Sequence, residues 1–146
     1  MDINEAKILA ERLIKENNLI DYTFHFDSSL RRFGYCNWTK KIISLSEPLV
    51  LLNVEEQVKQ TILHEIAHAL TPGHHHDEVW KAVAVRLGDT GERCYRNEEV
   101  TIPEAKHIYA CSSCGFKYER IKRIRGYAHH YHPACGRVKG KLKKVK

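Results

Sequence analysis

The chain has 146 residues, of which 42% are hydrophobic and 29% charged, a composition typical of folded globular proteins rather than disordered or fibrous ones. No stretch approaches the roughly 18 apolar residues that a membrane-spanning helix requires, so we expect no membrane association. The net charge of +6 is uneven, because residues 1–103 carry −4 and residues 104–146 carry +10. We therefore expect two domains with these boundaries, the second of which suits a polyanionic partner.

The N-terminal sequence mixes acidic, basic and apolar residues and lacks a basic segment followed by an apolar one. This pattern argues against a secretory signal and predicts a cytoplasmic protein, or a nuclear or nucleoid-associated one. The five cysteines are an odd number, which disfavours a disulfide framework in a reducing compartment and favours metal ligands or core thiols. The expected oligomeric state is a monomer.

The first predicted elements are one helix and three strands. Apolar residues at helical spacing predict a helix over residues 3–18, with Asp2 as its N-cap. Alternating residues predict strands at 22–26, 32–36 and 41–45, which together suit one small antiparallel sheet.

Two more helices follow. Apolar residues repeat every four positions and predict a helix over 54–70, for which Asn53 is the expected N-cap. A third helix is predicted over 77–87, and the polar, turn-rich residues 88–103 are typical of a linker or an irregular cover. About three helices on a small sheet give the α+β class.

The sequence His64-Glu65-Ile66-Ala67-His68 carries the first predicted metal site. Two histidines four residues apart share one helix face, about 6 Å apart along the axis, so both imidazoles reach one zinc ion. Glu65 lies beside the metal without binding it, as the general base of a zinc peptidase does. The sequence therefore predicts a catalytic zinc with His64 and His68 as ligands and Glu65 as the catalytic residue.

A catalytic zinc takes three protein ligands and one open position, so a further ligand must follow. The sequence favours His76, which immediately precedes the third helix, and His74 is the second choice. A glutamate from a later segment is the other arrangement that zinc peptidases use, and Glu92, Glu98 and Glu99 are available in loop-like contexts.

A second, structural zinc is predicted in the C-terminal domain. Cys111 and Cys114 form one CxxC pair, and His132 and Cys135 repeat its two-residue gap, which gives a closed Cys3His tetrahedron. His129 and His130 compete with His132, but neither keeps the gap to Cys135. A segment of about 40 residues with few large aliphatic side chains would gain most of its folding free energy from the metal.

The basic residues of this domain predict contact with nucleic-acid phosphates, without sequence reading, on DNA that is single-stranded or bound non-specifically. Aromatic side chains could stack on unpaired bases; they are Tyr109, Phe116, Tyr118, Tyr127 and Tyr131. The predicted nucleic-acid-binding residues are Arg120, Lys122, Arg123, Arg125, Arg137, Lys139, Lys141, Lys143 and Lys144.

In these motifs the sequence resembles the SprT-like zinc metalloproteases, and in size it is closer to the bacterial or phage-type members. The resemblance rests on residues 64–80, HEIAHALTPGHHHDEVW, in which Trp80 follows His76 at the family's spacing. The predicted hairpin at 33–46 and the C-terminal cysteine pairs resemble the family's hairpin and zinc ribbon. The resemblance implies a minimal zincin-type core with an appended ribbon, and zinc-dependent proteolysis, often of proteins on or crosslinked to DNA.

Two functions of different classes follow. The first is a zinc endopeptidase that acts on DNA-associated proteins, with one catalytic and one structural zinc ion. The second is a zinc-containing nucleic-acid adaptor with little or no turnover. A complete HExxH motif favours the first, because a purely structural zinc has no use for Glu65. A hydrolase that acts on something other than peptides has the same ligands.

Overall fold

The computed structural model describes residues 1–94 and 99–146 and divides into two compact units, Met1–Ile102 and Pro103–Lys146. The α+β class predicted from the sequence is confirmed. The elements of the first unit are α1 (Ile3–Glu16), β1 (Thr23–Asp27), β2 (Gly34–Asn37), β3 (Ile42–Ser46), α2 (Glu47–Leu52), α3 (Glu55–Leu70) and α4 (Glu78–Leu87). Within the described residues, no helix combines the length and the apolar character that crossing a bilayer requires.

The sheet of the first unit is mixed, whereas the sequence predicted an antiparallel one. Its order is β1-β3-β2, with β1 parallel and β2 antiparallel to β3. β3 takes the centre because Ile43 to Ser46 are all buried, while β1 alternates between exposed and half-buried residues and suits an edge. Alternation shows which residues share a face, but it carries no information about strand direction.

A short helix, α2, follows β3 and was not predicted. The hydroxyl of Ser46 caps it by accepting a hydrogen bond from the Leu49 amide at 3.1 Å, and Pro48 lies in its first turn, where proline is tolerated. The prediction that Asn53 caps the next helix is wrong, since Val54 holds that position. Asn53 is instead buried, and its side chain bonds the backbone of Thr101 at 2.7 and 2.8 Å.

The core of the first unit lies where α1 and α3 pack on the sheet. Asp2 caps α1 as predicted, and its carboxylate accepts from the amides of Asn4 and Glu5. On α3 the residues four apart, Val58, Ile62 and Ile66, are fully buried. This stripe fixes the rotation of α3 about its axis, so the side of the helix that carries the histidines points away from the centre of the core.

The second unit is built on a three-stranded antiparallel sheet of order β5-β4-β6. Its buried hydrophobic residues are few: Tyr109, Ala110, Cys111 and Leu142. The basic C-terminal segment is not all tail, since part of it forms β6 and pairs with β4. The elements are β4 (His107–Cys111), β5 (Lys117–Arg120), two 3₁₀ turns (Tyr127–His129 and Pro133–Cys135), α5 (Gly136–Lys139) and β6 (Leu142–Lys144).

Candidate metal centres and active site

Three half-buried histidines converge on the side of α3 that faces the cleft. The Nε2 atoms of His64 and His68 lie 3.1 and 3.0 Å from Nε2 of His76. Ligand nitrogens around a tetrahedral zinc are about 3.3 Å apart when each Zn–N bond is 2.0–2.1 Å. The donor set and its spacing therefore fit one zinc ion with a fourth position left for water or substrate.

A sharp turn after α3 brings His76 back to the helix. The turn begins at Thr71, whose hydroxyl donates to the Ala67 carbonyl at 2.7 Å, and passes through Gly73 in the left-handed region at φ +83°. His76 itself is left-handed, with φ +51°, a conformation that costs a non-glycine residue free energy and is typical of functional positions. Asp77 then caps α4 by accepting from the Trp80 amide at 3.0 Å.

The other candidates for the third ligand lie apart from this cluster. Nδ1 of His74 faces the Asp77 carboxylate at 2.6 Å. Glu92 and Glu99 line the nearby cleft but are not part of the histidine cluster. Glu98 lies outside the described residues. The structure thus brings His76, and not His74, to His64 and His68.

The indole ring of Trp80, on α4, packs against all three imidazoles. Its ring is fully buried, and its centroid lies 4.7, 5.1 and 4.6 Å from those of His64, His68 and His76. A large rigid ring in contact with each imidazole restricts the rotamers that the histidines adopt. Burial, with the nearby charges of His64 and His76, lowers the pKa of His68 to about 4, so this imidazole is in the neutral, metal-binding form at pH 7.

Glu65 lies between the histidines and the sheet and is 7% exposed. It fits there because β2 carries glycine at position 34. A Cβ atom at Gly34 would lie 2.6 Å from Oε1 of Glu65 and 2.8 Å from a methyl carbon of Thr61. Burial raises the pKa of Glu65 to about 7, against the opposing effect of His64 and Arg32. A carboxylate that exchanges a proton near neutral pH is suited to general base work.

The three histidines and Glu65 open into a cleft of about 1070 Å³. One wall is β2, whose outer edge is free of strand partners within the described residues. Trp38, in the turn after β2, donates its Nε1 hydrogen to the His68 carbonyl at 2.6 Å and contacts His75. The guanidinium of Arg32 stacks over the Tyr35 ring at 4.5 Å. Every residue of β2, from Gly34 to Asn37, lines the cleft.

Sequence reasoning missed two residues of this site. Gly34 could have been suspected, since glycine inside a strand often marks a close approach of another group. Asp89, whose Oδ2 atom lies 3.4 Å from Nδ1 of His64, gave no signal because it falls in a segment predicted to be a linker.

In the second unit the four predicted ligands, Cys111, Cys114, His132 and Cys135, meet with all donor atoms within 4.8 Å of one another. Sγ of Cys114 lies 3.3 Å from Nδ1 of His132, so the side chain presents Nδ1 here. The backbone amide of Cys114, with a smaller effect from that of Ser113, lowers the pKa of Cys111 to about 6 and favours its thiolate. The donor set fits a closed structural zinc site.

The two halves of this site are built alike. Gly115 and Gly136 directly follow Cys114 and Cys135, and each has φ +73°. The amide of each glycine bonds back to the carbonyl of the first residue of its pair, Cys111 at 3.0 Å and His132 at 3.1 Å. The HxxC half therefore has the same backbone turn as the CxxC half, so a histidine at the first position still presents its ligand atom to the shared site.

The predicted basic residues do not share one face. Lys122, Arg123 and Arg125 surround a concavity of about 560 Å³ in the loop after β5. Arg120 lies on β5, Arg137 and Lys139 lie on α5, and Lys141 begins the segment that contains β6. Lys143 and Lys144 are neighbours in β6 and therefore point to opposite faces of the sheet.

Comparison with known proteins agrees with this geometry. The family model described as the SprT-like family matches residues 5–104 of the chain. No curated protein matches the chain. The matched range begins in the first turn of α1, includes the other helices, the strands and the histidine cluster of the first unit, and ends at Glu104, near the start of the second unit. The chain belongs to the SprT-like family.

Proposed function

We propose that the chain is a zinc-dependent endopeptidase that acts on proteins bound or crosslinked to DNA, in the cytoplasm or nucleoid. The observation that carries the proposal is the buried Glu65 beside three converging imidazoles, at the bottom of an open cleft. Membership of a family of generally metallopeptidase-like proteins supports the same class of reaction.

In this mechanism His64, His68 and His76 hold the metal, and Glu65 moves the proton. Zinc supplies Lewis acidity when it is bound. Glu65 accepts a proton from the attacking water at its carboxylate and delivers it to the leaving amine. The absence of a side chain at Gly34 leaves room for the buried Glu65 carboxylate, which keeps it in one position beside the histidines.

The free edge of β2 is suited to hold the substrate. An extended peptide that pairs with this edge exposes its backbone groups to the strand and its scissile bond to the cleft. Such pairing reads backbone rather than side chains, so we expect broad cleavage of flexible segments. A zinc adaptor without turnover would gain nothing from a buried carboxylate at this position, which costs free energy to desolvate.

The basic second unit is proposed to bring the enzyme to DNA. The cationic concavity formed by Lys122, Arg123 and Arg125 suits a phosphate, and the exposed Phe116 and Tyr131 suit stacking on unpaired bases. Tyr109 does not take part, since its ring is fully buried and its hydroxyl accepts from the Ile124 amide at 3.0 Å.

Cleavage of an unstructured protein by the zinc-loaded chain tests the activity. Glu65→Gln should keep its zinc and lose at least about a hundredfold in rate, because it removes the general base. Glu55→Gln, the same change at an exposed residue in the first turn of the same helix and outside the cleft, should leave the rate unchanged. Equal rates for wild type and Glu65→Gln, with zinc bound to both, would disprove the proposed mechanism.

The salt dependence of binding to a single-stranded oligonucleotide tests the DNA contact. Replacing Lys122, Arg123 and Arg125 with glutamine should weaken binding and lower the slope against salt by about 0.7 for each lost phosphate contact. Replacing Lys7, Arg12 and Lys15 on α1 makes the same change of charge and should have little effect. Equal slopes for both triple variants would contradict the assignment of this surface.

A further inference from the structure

We infer that Asp89 is a positioning residue, which fixes the tautomer and orientation of His64 and thereby strengthens metal binding at the histidine cluster. The inference rests on the proposed function for the identity of the site. Oδ2 of Asp89 lies 3.4 Å from Nδ1 of His64, and the Asp89 side chain is 6% exposed. Nε2 of the same imidazole lies among the ligand atoms, so the two nitrogens of His64 face different partners.

The Asp89 carboxylate requires a partner. Its Oδ2 atom is buried and forms no hydrogen bond within the part of the chain that the structure describes. A buried charged oxygen without a partner costs free energy, and the Nδ1 atom of His64 lies just beyond the ordinary limit of about 3.2 Å for an N–H···O bond. Nδ1 of His64 is therefore the partner that the geometry offers to this oxygen.

The fold holds Asp89 in place through the end of α4. Gly88 ends this helix in the left-handed region at φ +99°, and the Asp89 amide bonds back to the Ala84 carbonyl at 3.0 Å. Gln60, one turn before His64 on α3, donates to the Gly88 carbonyl at 3.0 Å. α4 therefore places a metal ligand, His76, before its first turn and Asp89 after its last.

The chemistry follows from the two nitrogens of imidazole. A neutral imidazole that offers Nε2 to a metal must carry its proton on Nδ1. A carboxylate that accepts this proton's hydrogen bond excludes the other tautomer and makes Nε2 a better donor. Removing such a partner typically weakens metal binding by about 10- to 100-fold.

Zinc affinity of the full-length chain tests the inference independently of peptidase activity. Asp89→Asn should lower the affinity of the histidine site by about 10- to 100-fold in competition with a chelating indicator. Asp21→Asn is the matched control, since Asp21 is exposed and contacts Lys41. Cobalt in place of zinc distinguishes the sites, because thiolate ligands give a charge-transfer band that the histidine site lacks.

A second readout separates positioning from a general loss of structure. In the zinc-loaded wild type the Nδ1-bound proton of His64 should give a slowly exchanging, downfield proton signal, which should shift upfield and exchange faster in Asp89→Asn. The unfolding transition of the zinc-free protein should be the same in both.

Three outcomes would overturn the inference. One is equal affinity of wild type and Asp89→Asn for the histidine-site zinc. Another is a loss of affinity that appears together with unfolding of the zinc-free variant and an unchanged His64 signal. The third is a wild type that binds no metal at the histidines, which would also overturn the proposed function, whereas the first two would leave it standing.

Discussion

The two units use zinc-type ligand sets in opposite ways. The first unit has a continuous apolar core formed by residues of α1, α2, α3 and the sheet, and its histidine cluster lies outside this core. The second unit buries few apolar side chains, and its four ligands join the end of β4 and the turn after it to the segment that forms the second 3₁₀ turn. A site on a preformed scaffold can leave a coordination position open for chemistry, whereas a site that replaces the core must be closed.

The ligand sets differ in how the chain delivers them. His64 and His68 come from one long helix and His76 from a strained turn, so tertiary packing must hold them together. In the second unit two short turns, each ended by a left-handed glycine, present the ligands locally. Local turns form with the metal, whereas a helix-borne site depends on the fold around it.

The largest expected effect comes from removing one ligand at each site. Cys114→Ser should unfold residues 103–146, so that their amide resonances lose their chemical-shift dispersion. The reason is that zinc binding supplies about 10–16 kcal/mol to small domains of this kind. His68→Ala should abolish metal binding at the first site while residues 1–102 keep their dispersed spectrum, since alanine is a good helix former.

These paired variants have a clear contrary result. A second unit that stays folded in Cys114→Ser would show that its folding does not depend on the metal. A first unit that unfolds in His68→Ala would show that the histidine site supports the fold as well as the chemistry. Zinc content, measured on the same samples, confirms which metal has been lost.

A smaller effect is expected from Trp80→Ala, which removes the fully buried ring beneath the histidines. The free energy of unfolding of the first unit should fall by about 3–5 kcal/mol, because a large cavity replaces the indole. Val79→Ala is the control on the same helix, since Val79 is 50% exposed, and it should change stability by less than about 0.5 kcal/mol. Denaturation in urea measures both, and equal effects would contradict a packed support under the metal site.

The smallest expected effect is that of Gly34→Ala. The added methyl group must displace Glu65, with which it would overlap at 2.6 Å, so kcat should fall by about 10- to 100-fold. The zinc content should be unchanged, because the added methyl group meets Glu65 and Thr61 and none of the three histidines. Full activity in this variant would mean that the position of Glu65 against β2 does not matter for the reaction.

Much of both metal sites could be predicted from local pattern. The helical repeat alone brings His64 and His68 to one face of α3. The repeated two-residue gap identifies His132 and Cys135 as partners of the CxxC pair. Asp89 could not be predicted, because its meeting with His64 depends on how α4 packs on α3 and on where Gly88 ends α4.

The fold shows the same division between local and tertiary information. The capping of α1 by Asp2 is a local interaction and was predicted. The burial of Asn53 depends on the return of Thr101, far along the chain, to the end of α2. The parallel pairing of β1 with β3 depends on a chain crossing that strand alternation does not encode.

The most direct test is stepwise removal of zinc from the full-length chain, with peptide cleavage and the amide spectrum followed together. We expect cleavage to disappear with the zinc of the histidine site while both units remain folded, and residues 103–146 to collapse when the cysteine-bound zinc leaves. Cleavage that survives loss of the histidine-site zinc, or that ends only when the second unit unfolds, would contradict the assignment of catalysis to His64, Glu65, His68 and His76.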